Sequence, residues 1–164
     1  MKVLITGGTG FIGSRLALRC MEEGYEVNVL GQTNTSAEES NTKLLVEKGV
    51  NLILGTVTEK ENVAQAVRDC DIVYHLAAAQ HEANVPDKHF WQVNVEGTRN
   101  LLEACIDAGV KRFVHGSTIG VYGVEMTGEI NEDSPKKPDN IYGVTKKAGE
   151  ELVLSYNEKI PVSI

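Results

Sequence analysis

Thr6-Gly7-Gly8-Thr9-Gly10-Phe11-Ile12-Gly13 follows directly on the apolar run Val3-Leu4-Ile5. A buried strand therefore enters a glycine-rich turn and then a helix, whose apolar positions continue through Leu16 and Leu18. The turn predicts a ligand as well as a shape. Gly7, Gly10 and Gly13 lack a Cβ, so the backbone can bend tightly, approach a pyrophosphate and pack the helix close to the sheet. The exposed amides at the helix start, around Phe11 and Ile12, have the helix dipole behind them and favour an anion. The spacing is G-x-x-G-x-x-G and not the commoner G-x-G-x-x-G.

Outward from this turn, apolar runs and amphipathic stretches alternate. Strands are predicted at 2–6, 26–30, 51–55, 72–76, 112–116 and 161–164, and helices at 11–23, 38–48, 59–69, 87–108 and 140–158. Continuous apolar strands alternating with helices mean a parallel sheet buried on both faces. With right-handed crossovers the expected fold is α/β, a doubly wound Rossmann-type parallel sheet with helices on both faces. Its sixth strand has barely begun at Ile164. Residues 116–139 form a long connection rich in Gly, Pro and charge, leaving the fifth strand at the sheet edge where ligands bind in such folds.

The chain has 164 residues, enough for one domain with a sizeable core. Sixteen basic against 23 acidic side chains leave a net charge of −7, which argues against nucleic-acid and anionic-membrane partners. Lys2 precedes only three apolar residues before the Thr-Gly-Gly break, too few for a secretory leader. No run approaches the roughly 18 apolar residues of a membrane span. Cys20, Cys70 and Cys105 are widely spaced and read as buried thiols of a cytoplasmic protein. His81, His89 and His115 lack metal-ligand spacing and read as surface or loop histidines, with no metal implied. Phe90 and Trp91 read as packing residues of the helix, and Lys136 and Lys137 as solvated.

The chemistry concentrates near the fifth strand and the last helix. Tyr142 and Lys146 are four apart, one turn along a helix that Asp139 or Asn140 can cap. A lysine ammonium beside a phenol favours the phenolate, so such a tyrosine can exchange a proton with an alcohol or carbonyl well below the free value of about 10. Ser117 and Thr118 lie at the carboxyl end of the fifth strand, where a hydroxyl can meet a substrate oxygen.

Five ordered motifs carry a resemblance that covers essentially the whole chain. The glycine turn is followed by His75-Leu76-Ala77-Ala78, Val93-Asn94-Val95-Glu96-Gly97-Thr98, Ser117-Thr118-Ile119-Gly120-Val121-Tyr122-Gly123 and Tyr142-Gly143-Val144-Thr145-Lys146. This order resembles the extended short-chain dehydrogenase/reductases, the NAD-dependent epimerase/dehydratase superfamily. The resemblance implies a catalytic Tyr142–Lys146 pair with Thr118, four residues before Tyr122, as its hydroxyl partner. It implies that Ser117 lines the nicotinamide and substrate pocket, that Leu76, Ala77 and Ala78 border the cofactor, and that Asn94 supports the lysine.

The cofactor it implies is NAD or NADP. The second strand ends in Leu30-Gly31-Gln32-Thr33, without the acid that usually accepts from a ribose 2′-hydroxyl, and this tilts the expectation toward NADP with Gln32 as a neutral donor. Thr56 stands where the family commonly has an adenine-contacting aspartate. The dehydratase branch carries Asp-Glu after its threonine, whereas Ile119-Gly120 follows Thr118, so an epimerase or a carbonyl reductase is expected. The alternative is a dinucleotide-binding sensor or scaffold without turnover. Family habit further implies a small-molecule substrate, either a nucleotide sugar or a ketone or alcohol. It also implies a homodimer through helices 87–108 and 140–158. The 1–164 stretch is expected to be an NAD(P)-binding domain, the N-terminal portion of a protein whose substrate-binding domain lies beyond it.

Overall fold

The computed structural model describes residues 1–80, 85–124 and 128–164. The strands are β1 (Lys2–Thr6), β2 (Glu26–Gly31), β3 (Asn51–Leu54), β4 (Ile72–His75), β5 (Arg112–His115) and β6 (Val162–Ser163). They form one sheet in the order β3-β2-β1-β4-β5-β6, with every neighbouring pair parallel. The order reverses between β1 and β4, so the crossover after β3 must carry the chain to the other face.

The helices are α1 (Phe11–Glu22), α2 (Ser36–Glu47), α3 (Lys60–Val67), α4 (Asp87–Trp91), α5 (Thr98–Asp107) and α6 (Ile141–Ser155). Side chains of a strand alternate between faces, and the core divides accordingly. Val3, Ile5, Val27 and Val29 pack with Ala17 and Cys20 of α1 and Leu45 of α2. Leu4, Leu30 and Val73 pack on the opposite face with Val63 of α3, Leu101 and Cys105 of α5 and Val153 of α6. This is the doubly wound α/β architecture the alternating pattern predicts. None of the described helices is long and apolar enough to cross a membrane.

The single helix expected over 87–108 is continuous but not uniform. Gln92–Gly97 forms a π-helical turn between α4 and α5. The Thr98 hydroxyl donates back to the Asn94 carbonyl at 2.7 Å within it. Such turns interrupt helices mostly where a side chain must be re-aimed, and the residue re-aimed here is Asn94. Phe90 is buried as expected, whereas Trp91 is 41% exposed.

The glycine turn is pressed between two neighbours. Gly7 has a φ of +66°, and a Cβ there would lie 2.8 Å from the Ala77 amide nitrogen. A Cβ on Gly13 would lie 2.4 Å from the Gly7 carbonyl oxygen. Both obstacles are backbone, which cannot swing aside. Gly13→Ala should therefore destabilise the protein by about 2 kcal/mol or more in urea unfolding. Gly10→Ala, whose Cβ would stand 3.2 Å from the same carbonyl, should be milder.

Candidate active site

A cleft of about 640 Å³ opens along the carboxyl ends of β3, β2, β1 and β4. The expected residues Gly7, Gly10, Gln32, Thr56, Leu76, Ala77 and Ala78 all line it. At its centre α1 begins without a side-chain cap. The Gly10 amide is engaged by the Gly7 carbonyl, and the first intrahelical bond is Ser14 to Gly10, each 3.0 Å. The helix-start amides of Phe11 and Ile12 are thus left for an anion. The Phe11 and Ile12 side chains are 79% and 68% exposed, and neither lines the cleft. Gly13 is buried behind the turn. The size and the uncapped helix start fit a dinucleotide.

Charge in the cleft departs from the sequence expectation. Thr35 and Glu38 form a reciprocal capping box at the start of α2. Glu38 accepts from the amides of Asn34 and Thr35 at 2.8 and 3.0 Å and lines the cleft with Gln32. A carboxylate therefore stands near the end of β2 after all, six residues beyond Gln32. The Thr-x-x-Glu spacing was its signal in the sequence. Glu96 contributes a second carboxylate, and the described lining residues include no lysine or arginine.

Beneath the cleft, a polar row crosses three strands in register. Thr6 of β1 pairs with His75 of β4, which pairs with His115 of β5. The Thr98 hydroxyl gives its proton to Asn94, so it accepts from His75 Nε2 at 2.9 Å. His75 Nδ1 then accepts from the Thr6 hydroxyl at 2.7 Å, and Thr6 accepts from the Ala77 amide at 3.2 Å. The His75 and His115 rings lie 5.3 Å apart. Burial drives the pKa of His75 well down and that of His115 to about 3. His115 is thus a core residue, contrary to its reading as a surface or loop histidine. His89 lines the cleft, and His81 lies outside the described residues.

The row ends at Lys146. Its ammonium donates to the Gly116 carbonyl at 2.5 Å and lies 3.4 Å from His115 Nε2, in a side chain 3% exposed. Burial lowers the Lys146 pKa to about 8, and the charge of Glu150 opposes that fall. Gly116 donates its own amide to the His75 carbonyl at 3.0 Å, which places the lysine beside the β4 exit that borders the cleft. Tyr142 is half-buried one turn earlier on α6, whose start Asn140 caps through the Gly143 amide at 2.9 Å. Gly143 lies so near the turn after β5 that a Cβ would stand 2.6 Å from the Gly120 carbonyl. That turn, Ile119–Val121, is capped by the Thr118 hydroxyl, which accepts from the Gly120 amide at 3.1 Å. Thr118 and Tyr142 are therefore carried by two turns in direct contact. Neither they nor Lys146 line the 640 Å³ cleft, which they flank on the β5 side.

Three side chains have partners the sequence did not announce. Asn94 accepts from the Ala79 amide at 2.8 Å and donates to the Ala79 carbonyl at 3.1 Å and to Thr145 at 3.0 Å. Its side chain ties the β4 exit to α6, so it acts on the lysine's helix through Thr145. Ser117 donates to Glu150, and Lys136, read as solvated, is only partly exposed and ion-paired with the same carboxylate. Glu150 carries no motif label of its own; its spacing of four from Lys146 was the available signal.

Fold and cleft together define an α/β protein built to hold a dinucleotide at its sheet's carboxyl edge. The chain belongs to the NAD dependent epimerase/dehydratase family, whose model matches residues 3–163. It is 37% identical to the dTDP-D-glucose 4,6-dehydratase of Mus musculus, over 99% of this chain and 48% of the relative. It is 34% identical to a UDP-glucose 4-epimerase of Streptomyces lividans, over 93% of this chain and 46% of the relative. The crystal structure of UDP-glucuronic acid 4-epimerase from Bacillus cereus in complex with NAD superposes with a TM-score of 0.88 at 33% identity, over 99% of this chain and 55% of that one. The chain thus spans about half the length of these relatives.

The buried histidines make stability depend on pH in a defined direction. Both bind a proton near 6.5 when unfolded and resist it when folded. Their contribution is complete above about pH 6.5 and is lost as pH falls toward the folded values, by about 1.4 kcal/mol per pH unit for each histidine. In chemical unfolding between pH 6 and 4, His115→Phe should flatten this slope by about one histidine's share. An unchanged slope would contradict a neutral His115 in the folded state.

Proposed function

We propose that this chain is the cofactor-binding portion of an NAD-dependent epimerase or carbonyl reductase, with a nucleotide sugar as the favoured substrate. The observation that carries the reading is the hydrogen bond from Lys146 to Gly116, which fixes the Tyr142 helix turn to the strand exit beside the cleft. A binding protein without turnover needs the glycine turn but has no use for a buried ammonium one turn from a tyrosine. A solved relative that holds NAD with a sugar nucleotide, the B. cereus UDP-glucuronic acid 4-epimerase with UDP-glucuronic acid, supports the substrate class.

In this reading the amides of Phe11 and Ile12 hold the pyrophosphate, and Leu76, Ala77 and Ala78 border the remainder of the cofactor. When bound, the nicotinamide supplies a carbon that accepts or returns hydride. Tyr142 moves a proton to or from the substrate oxygen, Lys146 holds positive charge beside it, and Thr118 orients that oxygen. Ile119 and Gly120 offer neither acid nor base, which favours epimerase or reductase chemistry over dehydration.

The cofactor choice is NAD, a reversal of the tilt toward NADP. A 2′-phosphate would meet Glu38 without a compensating cation, whereas a ribose hydroxyl could donate to it. The dissociation constant for NAD should be at least about tenfold below that for NADP, equivalent to about 1.4 kcal/mol. Glu38→Gln, which retains the capping box, should narrow the gap. Equal or tighter NADP binding would contradict the assignment.

Tyr142→Phe in the intact protein should lower kcat on a nucleotide sugar by about 10²- to 10⁴-fold with NAD affinity nearly unchanged. Retained turnover would contradict the role of Tyr142.

A further inference from the structure

Glu150 is 4% exposed, and both of its carboxylate oxygens are engaged. Oε1 accepts from the Ser117 hydroxyl at the β5 exit, and Oε2 accepts from the Lys136 ammonium in the long connection. Tyr142, Lys146 and Glu150 stand at i, i+4 and i+8 on one face of α6. Three segments therefore meet at this carboxylate, and it stands one turn from the buried ammonium. The carboxylate is buried while its lysine partner is partly exposed, so desolvation of Glu150 offsets much of the attraction and an apolar contact would staple the segments as well.

Lys146 donates to uncharged acceptors, the Gly116 carbonyl and His115. The titratable groups around it are His115 from β5, His75 behind it on β4, Tyr142 and Glu150 from α6, and Lys136 from the connection. Glu150 is the carboxylate in that set. The three charges then alternate in sign, Lys136, Glu150, Lys146, which lowers the cost of burying the last.

We propose that Glu150 is a positioning residue that supplies the counter-charge for Lys146 and, through Ser117 and Lys136, locks the β5 exit and the chain at Lys136 onto α6. The proposal rests on Tyr142 and Lys146 being the working pair. Lys136 tempers the carboxylate, so its removal leaves more of the negative charge acting on Lys146. The two neighbours thus push the lysine in opposite directions, a signature that simple loss of packing does not produce.

The test is a carbon-13 NMR titration of the lysine Cε resonances in the intact protein, with Lys146 assigned by its loss in Lys146→Met. Glu150→Gln should lower the Lys146 midpoint by about one pH unit, and Lys136→Met should raise it. No movement in either variant, or movement in the same direction in both, would overturn the proposal. If Glu150→Gln fails to fold, the double variant Lys136→Met/Glu150→Leu, which removes both charges together, decides: a lowered midpoint supports the role, and an unchanged or raised one refutes it. The titration is read without turnover. An active Tyr142→Phe with the expected midpoint shifts would remove the catalytic reading alone; an inactive one with unmoved midpoints would remove only the role of Glu150.

Discussion

An ammonium with 3% of its residue surface exposed has to be held by the protein, and much of the upper sheet edge is arranged around that requirement. Lys146 reaches the Gly116 carbonyl because β5 ends at His115 and its next peptide turns toward α6. His115 gives it a second acceptor only while the imidazole is neutral, which burial enforces. His115 Nδ1 is buried without a hydrogen-bond partner among the described residues. An unmet buried polar atom is normally avoided, and it stands here on the ring that Lys146 contacts.

The polar row from Thr6 through His75 to His115 explains how two separate structures become one site. The glycine turn follows Thr6, the cleft border follows His75, and the Ser117-Thr118 turn follows His115. Each exit starts from a side chain hydrogen-bonded to, or in tilted ring contact with, its neighbour, so the exits share one register. Asn94 extends the connection to α6 from the π-helical turn, reaching Ala79 on one side and Thr145 on the other. Rigid support of this kind is what a reacting geometry requires, since small misplacements of catalytic groups cost large factors in rate.

The fold was legible because its signals are local. Alternating apolar runs and helical periods depend on neighbours in sequence, and the glycine turn has one steric solution. The positions of Gly7, Gly10, Gln32, Thr56, Leu76, Ala77 and Ala78 around the cleft follow from that topology. What escaped the sequence was pairing across long separations. Ser117 and Lys136 meet at Glu150 from 33 and 14 residues away, and no spacing announces such a meeting. His115 fell within a predicted strand, but its partners, His75 of β4 and Lys146 of α6, lie 40 and 31 residues away along the chain. Glu38 was readable as a helix cap but not as a wall of the cleft, because a cap fixes the helix start and not where that helix points.

The central claim is that a dinucleotide lies along this sheet edge, with its pyrophosphate on the amides that begin α1 and its reactive ring delivered to the Tyr142–Lys146 face. A crystal structure with NAD tests it most directly. The account expects pyrophosphate oxygens within hydrogen-bond distance of the Phe11 and Ile12 amides, and the nicotinamide beside the Tyr142 hydroxyl with its ribose reached by Lys146. A cofactor found elsewhere, or one seated on the glycine turn with its nicotinamide directed away from Tyr142, would contradict it.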